Sequence, residues 1–448
     1  MQMFFPGKAR RLVASIAVLL ILAGCDTFDD WFFKPPPPLP GKRVSVMVSQ
    51  RAITPDPQLQ EKGILLPAPT PNPDWPQAGG YANHAMHHIE VGDSLKPVWK
   101  EDIGDGSGSE VRLIASPIVA NGRVFTIDVD SEVRAYDVKN GRRLWRNDIT
   151  PKKEDDGHMS GGLAYENGML YVATGFAQVI AMNPENGQVV WRQNVGGPMR
   201  AAPTVRGGRV FVITLDNKLH ALSAKSGKPL WSFTGAGEVS SLLGSASPAV
   251  DSGIVVAPFS SGELVALRVE NGRLLWSESL ATVRRSTTAI STFSHIRGRP
   301  VIDRGRVIAV SNGGLIAMFD LSTGRRVWDS TIGSYENPWV AGDYIFMVTH
   351  ESELICLERD SGRVYWVLAL PQHVDNNIQK PAIIWTGPLL ASDRLIVAGS
   401  HGRALAVSPY TGQVIGVEKM PSGVTVSPVV AGKTVYFLTD NADLIAYR

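Results

Sequence analysis

Residues 135–145 read Ala135-Tyr-Asp-Val-Lys-Asn-Gly141-Arg-Arg-Leu-Trp145. An alternating apolar segment runs into a polar turn closed by Asn-Gly, and a second segment leaves it carrying tryptophan. Asn-Gly supplies the positive-φ corner of a tight hairpin, so the stretch predicts two antiparallel strands. It returns in degenerate form at 181–191, 221–231, 266–276, 318–328, 356–366 and 406–416, the last with Gly416 in place of the tryptophan. Trp99, Trp145, Trp191, Trp231, Trp276, Trp328 and Trp366 share one phase, at intervals of 38 to 52 residues through Gly416. A period of about 45 residues with several short strands per unit is the signature of a β-propeller.

Within a unit the order is steady. Ser116-Pro117-Ile-Val opens an innermost strand, 123–127 forms the second, 132–136 the third, and Leu144-Trp145-Arg146 begins the outermost. Proline at the first residue of a strand forfeits no ladder hydrogen bond. Pro203, Pro248, Pro300, Pro338, Pro388 and Pro428 repeat that position. At the front, Trp99 lies in a tryptophan strand with no strands before it. At the back, residues 427–430, 434–439 and 444–447 give three strands with no tryptophan strand after them. Joined, the two ends make one blade, and closing the ring this way removes exposed sheet edges. The expectation is an all-β, eight-bladed propeller of four-stranded antiparallel blades over residues 74–448.

The 448 residues carry a formal net charge of +2, with 44% hydrophobic and 19% charged residues. A near-neutral chain has no general attraction for nucleic acid. Lys8, Arg10 and Arg11 precede an apolar run from Leu12 to Leu22, too short to cross a bilayer and suited to a signal peptide. It ends in Leu22-Ala-Gly-Cys25, which resembles the bacterial lipobox. That resemblance implies a signal peptide over 1–24, cleavage before Cys25, and acylation of Cys25 with several acyl chains including palmitate-type chains. Several chains make anchoring effectively permanent, where one is marginal. Residues 25–73, with Pro35–Pro38 and Pro40, are expected to be a proline-rich tether. The expected location is the periplasmic face of the outer membrane; Asp26 resembles an inner-membrane retention signal of some bacteria and leaves the inner membrane's periplasmic face as the alternative. With Cys25 acylated, Cys356 has no disulfide partner and is expected to be a buried structural thiol.

The repeat, clearest at Met318-Phe-Asp320-Leu-Ser-Thr-Gly324-Arg-Arg-Val-Trp328, resembles the tryptophan-docking motif of the quinoprotein alcohol dehydrogenase superfamily, as does Asp74-Trp75-Pro76 with Gly79-Gly80. Pyrroloquinoline quinone enzymes of that group use an adjacent cysteine pair, a Ca²⁺ held by Glu and Asn, and an Asp base. This sequence has no adjacent cysteines and no recurring acidic cluster with hard-cation spacing. The expectation is a protein without a cofactor, without a metal and without catalysis. Lipobox, tether and propeller together resemble the propeller lipoproteins of the outer-membrane β-barrel assembly machinery. The resemblance implies a scaffold that docks on POTRA domains of the machine's barrel subunit and aids delivery of unfolded outer-membrane proteins. Two alternatives stay open: a quinone-dependent dehydrogenase, and a scaffold of another envelope complex.

Two inter-blade loops are candidates for docking. In 237–247 the family's Leu-Arg-Gly contact run corresponds to Leu242, Leu243 and Gly244, with Leu243 replacing the arginine. In 282–299 Phe293 and Arg297 mix aromatic and guanidinium character, as interaction hot spots do. His295 stands there where an acid is expected. A further cluster, His84, His87 and His88, falls in a loop.

Overall fold

Eight four-stranded antiparallel sheets make up the ring, each ordered from innermost to outermost strand. The computed structural model describes residues 53–152, 159–237, 244–281 and 295–448. Blade 1 consists of Ile118–Ala120, Arg123–Ile127, Glu132–Asp137 and Arg143–Asp148. Blades 2 to 7 follow, with innermost strands beginning at Gly162, Thr204, Ala249, Val301, Trp339 and Trp385. Blade 8 takes Val429–Ala431, Thr434–Leu438 and Asp443–Tyr447 from the C-terminal end and Pro97–Asp102 from the front of the chain. The last two strands pair over Trp99–Ala446 to Asp102–Asp443. The eight-bladed expectation and the composite blade both hold.

Burial follows strand position. The second strand of blade 1 is buried after its first residue, while the fourth alternates exposed and half-buried residues. Each middle strand is covered on both faces by neighbouring blades, which is why they read as continuous Val, Ile, Phe and Ala rather than as alternation. The outer strand meets a neighbour on one side only. Pro117, Pro203, Pro248, Pro300, Pro338 and Pro428 sit one residue before their strands, whereas Pro388 lies inside Trp385–Ala391 at a register shift.

The tryptophans join successive blades. Each indole covers the glycine of the next blade's last turn and donates its Nε1–H to the carbonyl three residues earlier. The donors and acceptors are Trp99 to Val138 (3.2 Å), Trp145 to Pro184 (2.9 Å), Trp191 to Ala224 (3.1 Å), Trp231 to Val269 (3.0 Å), Trp276 to Leu321 (2.8 Å), Trp328 to Arg359 (2.8 Å) and Trp366 to Pro409 (3.0 Å). Trp276 and Trp366 are buried; the other five, lying over turns at the rim, are half-buried. Blade 7 has Gly416 instead. The next blade has no such turn, because its third strand ends at Tyr447 and its fourth begins at Pro97. Backbone bonds between Lys96 and Arg448 (2.9 and 3.0 Å) bridge that gap, and Tyr447 Oη donates to Glu418 of blade 7 (3.2 Å).

The segment before the first strand is part of the ring. Residues 72–90 pass the innermost strand of every blade in a hydrogen-bonded circuit. Trp75 exchanges backbone bonds with Val119 of blade 1 (2.7 and 2.8 Å), and Pro76 accepts from Tyr165 of blade 2 (2.8 Å). The Gln77 amide donates to and accepts from Val205 of blade 3 (2.8 and 2.9 Å). Ala82 accepts from Val250 of blade 4, and Asn83 from Ile302 of blade 5. His87 accepts from the Trp339 indole of blade 6, Ile89 bonds Leu390 and Ser392 of blade 7, and Asn72 bonds Val430 and Gly432 of blade 8. An ordered segment that satisfies one backbone group per blade closes that end of the bore.

The expected boundary at residue 74 is therefore too late. Residues 53–448 form one compact unit. A one-turn helix, Pro57–Gln60, has Asp56 as N-cap (Gln58 N–H to Oδ1, 2.9 Å) and proline at its first position, as helix starts favour. Its Leu59 is 1% exposed among residues of blades 6 and 7. Asp56 N–H donates to Val364 (2.8 Å), and Leu65 N–H to the Tyr344 hydroxyl (2.9 Å). The proline-rich composition suggested a free tether; these residues instead strap the rim of blade 6. The residues expected to form a signal peptide and lipobox, including Cys25, lie outside the described residues. Cys356 is fully buried, and burial pushes its thiol pKa up.

Candidate functional site

In each blade the strand order puts the connection to the next blade, with the turn between the second and third strands, at one end and the first and last hairpin turns at the other. Gly244 and Arg297 belong to successive connections, blade 3 to 4 and blade 4 to 5, so they share one face of the ring. They also touch. A Cβ built on Gly244 would lie 3.3 Å from Arg297 Nε, and the φ of +85° there is one that glycine adopts freely. Leu242, Leu243 and Phe293 lie outside the described residues. Around the pair, Ser245 N–H donates to Arg200 O (3.2 Å) and Ser247 Oγ to Ala202 O (2.8 Å), which fixes the C-terminal half of the first loop to blade 3. Burial raises the pKa of Tyr335, while the nearby Arg297 cation works against that shift.

His295 does not join this surface. It is 2% exposed, and Ile296 beside it is fully buried. Burial, with the Arg297 charge adding to it, pulls the His295 pKa down to about 4, so the ring is neutral at pH 7. His295 is therefore a buried residue rather than an exposed contact.

The bore opens toward the same face and is floored by Trp75, Gly79 and His84; Arg299 and Trp339 stand in its wall. Trp75 and Trp339 stack with centroids 6.3 Å apart. His84 Nδ1 donates to the Pro300 carbonyl (2.8 Å), and burial, then the Arg299 charge, lowers its pKa to about 3. His87 Nε2 faces Asp303 (3.4 Å), and His88 bonds Pro67 O (2.7 Å) and Asp393 N–H (2.9 Å). The three imidazoles thus go to three different partners, and among the described residues no group of His, Cys, Asp or Glu converges as a metal site.

A tricyclic quinone with its cation does not fit here. The cavity is about 40 Å³, against roughly 300 Å³ or more for a small-molecule pocket. Glu336, which bonds the cavity-lining Gly387 and Ser427, spends Oε2 on Thr386 Oγ1 (2.9 Å), Ser427 Oγ (3.2 Å) and Gly387 N–H (3.3 Å). Its hydrogen bonds fasten blade 6 to blades 7 and 8.

The family model described as "Outer membrane protein assembly factor BamB" matches residues 93–155 and 129–368. The chain belongs to the BamB family. It is 27% identical to the BamB of Yersinia pestis over 80% of this chain and 90% of that protein. It is 29% identical to the BamB of Vibrio cholerae over 78% and 87%. Among solved structures, BamB from Moraxella catarrhalis superimposes with a TM-score of 0.67 at 17% identity, covering 79% of this chain and all of that one. Quinohemoprotein alcohol dehydrogenase from Comamonas testosteroni gives 0.63 at 14% identity, covering 84% and 80%. At such identities the structural likenesses speak for the fold alone, and the dehydrogenase shares this ring just as the BamB structure does.

Proposed function

We propose that this chain is a non-catalytic scaffold subunit of the outer-membrane β-barrel assembly machinery, docking through its blade 3–4 and 4–5 connections on periplasmic POTRA domains. The observation that supports the docking site is the nearness of Gly244 to Arg297. It brings two loops, separate in sequence, onto one face. Loops at a ring face are free to bind because the strands are committed to their sheets. On this reading Leu242 and Leu243 are the apolar anchors, with Phe293 and Arg297 beside them. The loss of a guanidinium at Leu243 shifts the charged part of the contact to Arg297. Cys25 carries the lipid, and the protein sits on the periplasmic face of the outer membrane, with the inner membrane as the alternative that Asp26 raises.

Family membership supports the assembly role, and the small bore supports the absence of quinone chemistry. The test is affinity capture from solubilised membranes followed by identification of the bound proteins. The reading expects a POTRA-bearing barrel protein at near-stoichiometric yield. Capture of a different envelope complex, or quinone absorbance with dye-linked alcohol oxidation, would overturn it.

A further inference from the structure

The hairpin-turn end of blades 3 and 4, opposite the docking loops, breaks the rules that the other blades keep. The first residue of the last turn is an acceptor in six blades: Asp137, Asn183, Ser223, Asp320, Glu358 and Ser408. Where it is Asp or Asn, Oδ1 caps the turn. Asp137 accepts from Lys139 N–H (2.8 Å), Asn183 from Glu185 N–H (2.8 Å) and Asp320 from Thr323 N–H (3.1 Å). Blade 4 has Arg268 there, and a guanidinium accepts nothing. A local rule broken without a compensating contact marks a functional position more often than a structural one.

Arg268 is not isolated. At this end the first and last turns of blade 3 carry Arg206, Arg209, Lys225 and Lys228 and no acid. At the start of the second strand, Arg123 is held by Glu185 and Arg306 by Asp320, while Arg394 donates to Asp93 O (2.9 Å). Arg209 occupies the same place in blade 3 with no such carboxylate or carbonyl acceptor, and its buried Nε, like that of Arg123, has no partner. Among the described residues neither it nor Arg206 or Arg268 has a carboxylate within ion-pair distance. The three arginines line a groove of about 670 Å³ whose floor is Ile254, Val269 and Leu275 and whose rim also holds Asp251 and Glu270.

We infer that this groove binds an acidic segment of a partner polypeptide, with carboxylates bridging Arg206, Arg209 and Arg268 and an aliphatic side chain on the floor. Arginine forks match carboxylates two oxygens at a time. The concave, apolar floor calls for a protruding chain, which a flat bilayer surface cannot supply. The two rim acids also disfavour a densely charged polyanion. This surface is at the other end of the blades from Gly244 and Arg297, so it leaves the docking loops free and does not depend on their role.

The test uses the purified full-length chain, a fluorescein-labelled peptide of alternating Glu and Leu, and phosphatidylglycerol vesicles. Two variants are needed: Arg206→Ser/Arg209→Ser, and Arg268→Asp, which restores the acid of blades 1 and 5. The expected result is salt-sensitive peptide binding that falls at least tenfold in each variant. Melting should be unchanged for the first and unchanged or higher for Arg268→Asp, and vesicle binding should be equal in all three proteins. Absence of peptide binding, equal peptide binding by the variants, or arginine-dependent vesicle binding would each overturn the inference; the last would point to a membrane instead.

Discussion

Trp231 of blade 3 lies flat against Gly272 of blade 4: a Cβ at residue 272 would sit 2.6 Å from the indole Cε3 while the indole nitrogen donates to Val269 at 3.0 Å. The pair is one instance of a contact that seven of the eight blade junctions repeat. It explains why tryptophan and turn glycine recur together in the sequence. The turn glycine is needed for its φ of +70° and equally for the space it leaves to the ring.

Trp231→Ala should cost about 2–4 kcal/mol, since a half-buried ring and one hydrogen bond are lost together. Gly272→Ala should also destabilise. Its penalty should shrink in the Trp231→Ala background, because the strained φ remains and the clash does not. Chemical denaturation of the four proteins of that cycle checks the coupling. Additive effects would show that ring and glycine do not press on each other.

Gly416→Trp should not stabilise the protein. The junction of blade 7 with blade 8 lacks the tryptophan because the turn that would receive it is replaced by the meeting of Tyr447 and Pro97. An added indole has no glycine to cover and would lie on the surface. A rise of several degrees in the melting temperature would contradict this account of the missing ring.

Stability should fall in mild acid. His84 and His295 have folded pKa values lowered from 6.5 to about 3 and about 4, chiefly by burial. A depressed histidine binds fewer protons folded than unfolded, so its stabilisation is complete above pH 6.5 and is lost as pH drops toward the folded value. Between pH 7 and pH 5 the two together should lose on the order of 2–4 kcal/mol. Melting across that range checks it. Replacing both residues with Asn should flatten the pH dependence of this part of the curve.

Leu59→Ala should cost about 2–4 kcal/mol, the usual range for a fully buried leucine. Leu59 is the point at which the strap is sealed to the ring. If melting is unchanged, residues 53–66 are not part of the folded unit and the tether runs on to residue 73, as composition alone suggested.

Much of the ring was legible because it is periodic. Strands, turn glycines and the split blade all follow from Trp99, Gly416 and the unmatched strands 427–447. The N-terminal circuit was not legible. Gln77, Ala82 and His87 each meet a different blade, and such contacts leave no period. The strap was misread because prolines that fix an extended chain look the same whether that chain is free or packed. Two features had a local signal that could have been used. Arg268 stands where the repeat wants an acceptor, and His295 is followed directly by an apolar isoleucine. Of the proposed docking residues, Gly244 and Arg297 lie close together, while Leu242, Leu243 and Phe293 lie outside the described residues.

The most direct test of the docking account is the affinity of the purified chain for the POTRA domains of the barrel subunit, measured by titration calorimetry for wild type and for Leu242→Asp. The account predicts binding by the wild type and a loss of at least about 2 kcal/mol in the variant, with melting unchanged. Equal affinity in a normally folded Leu242→Asp protein would contradict it.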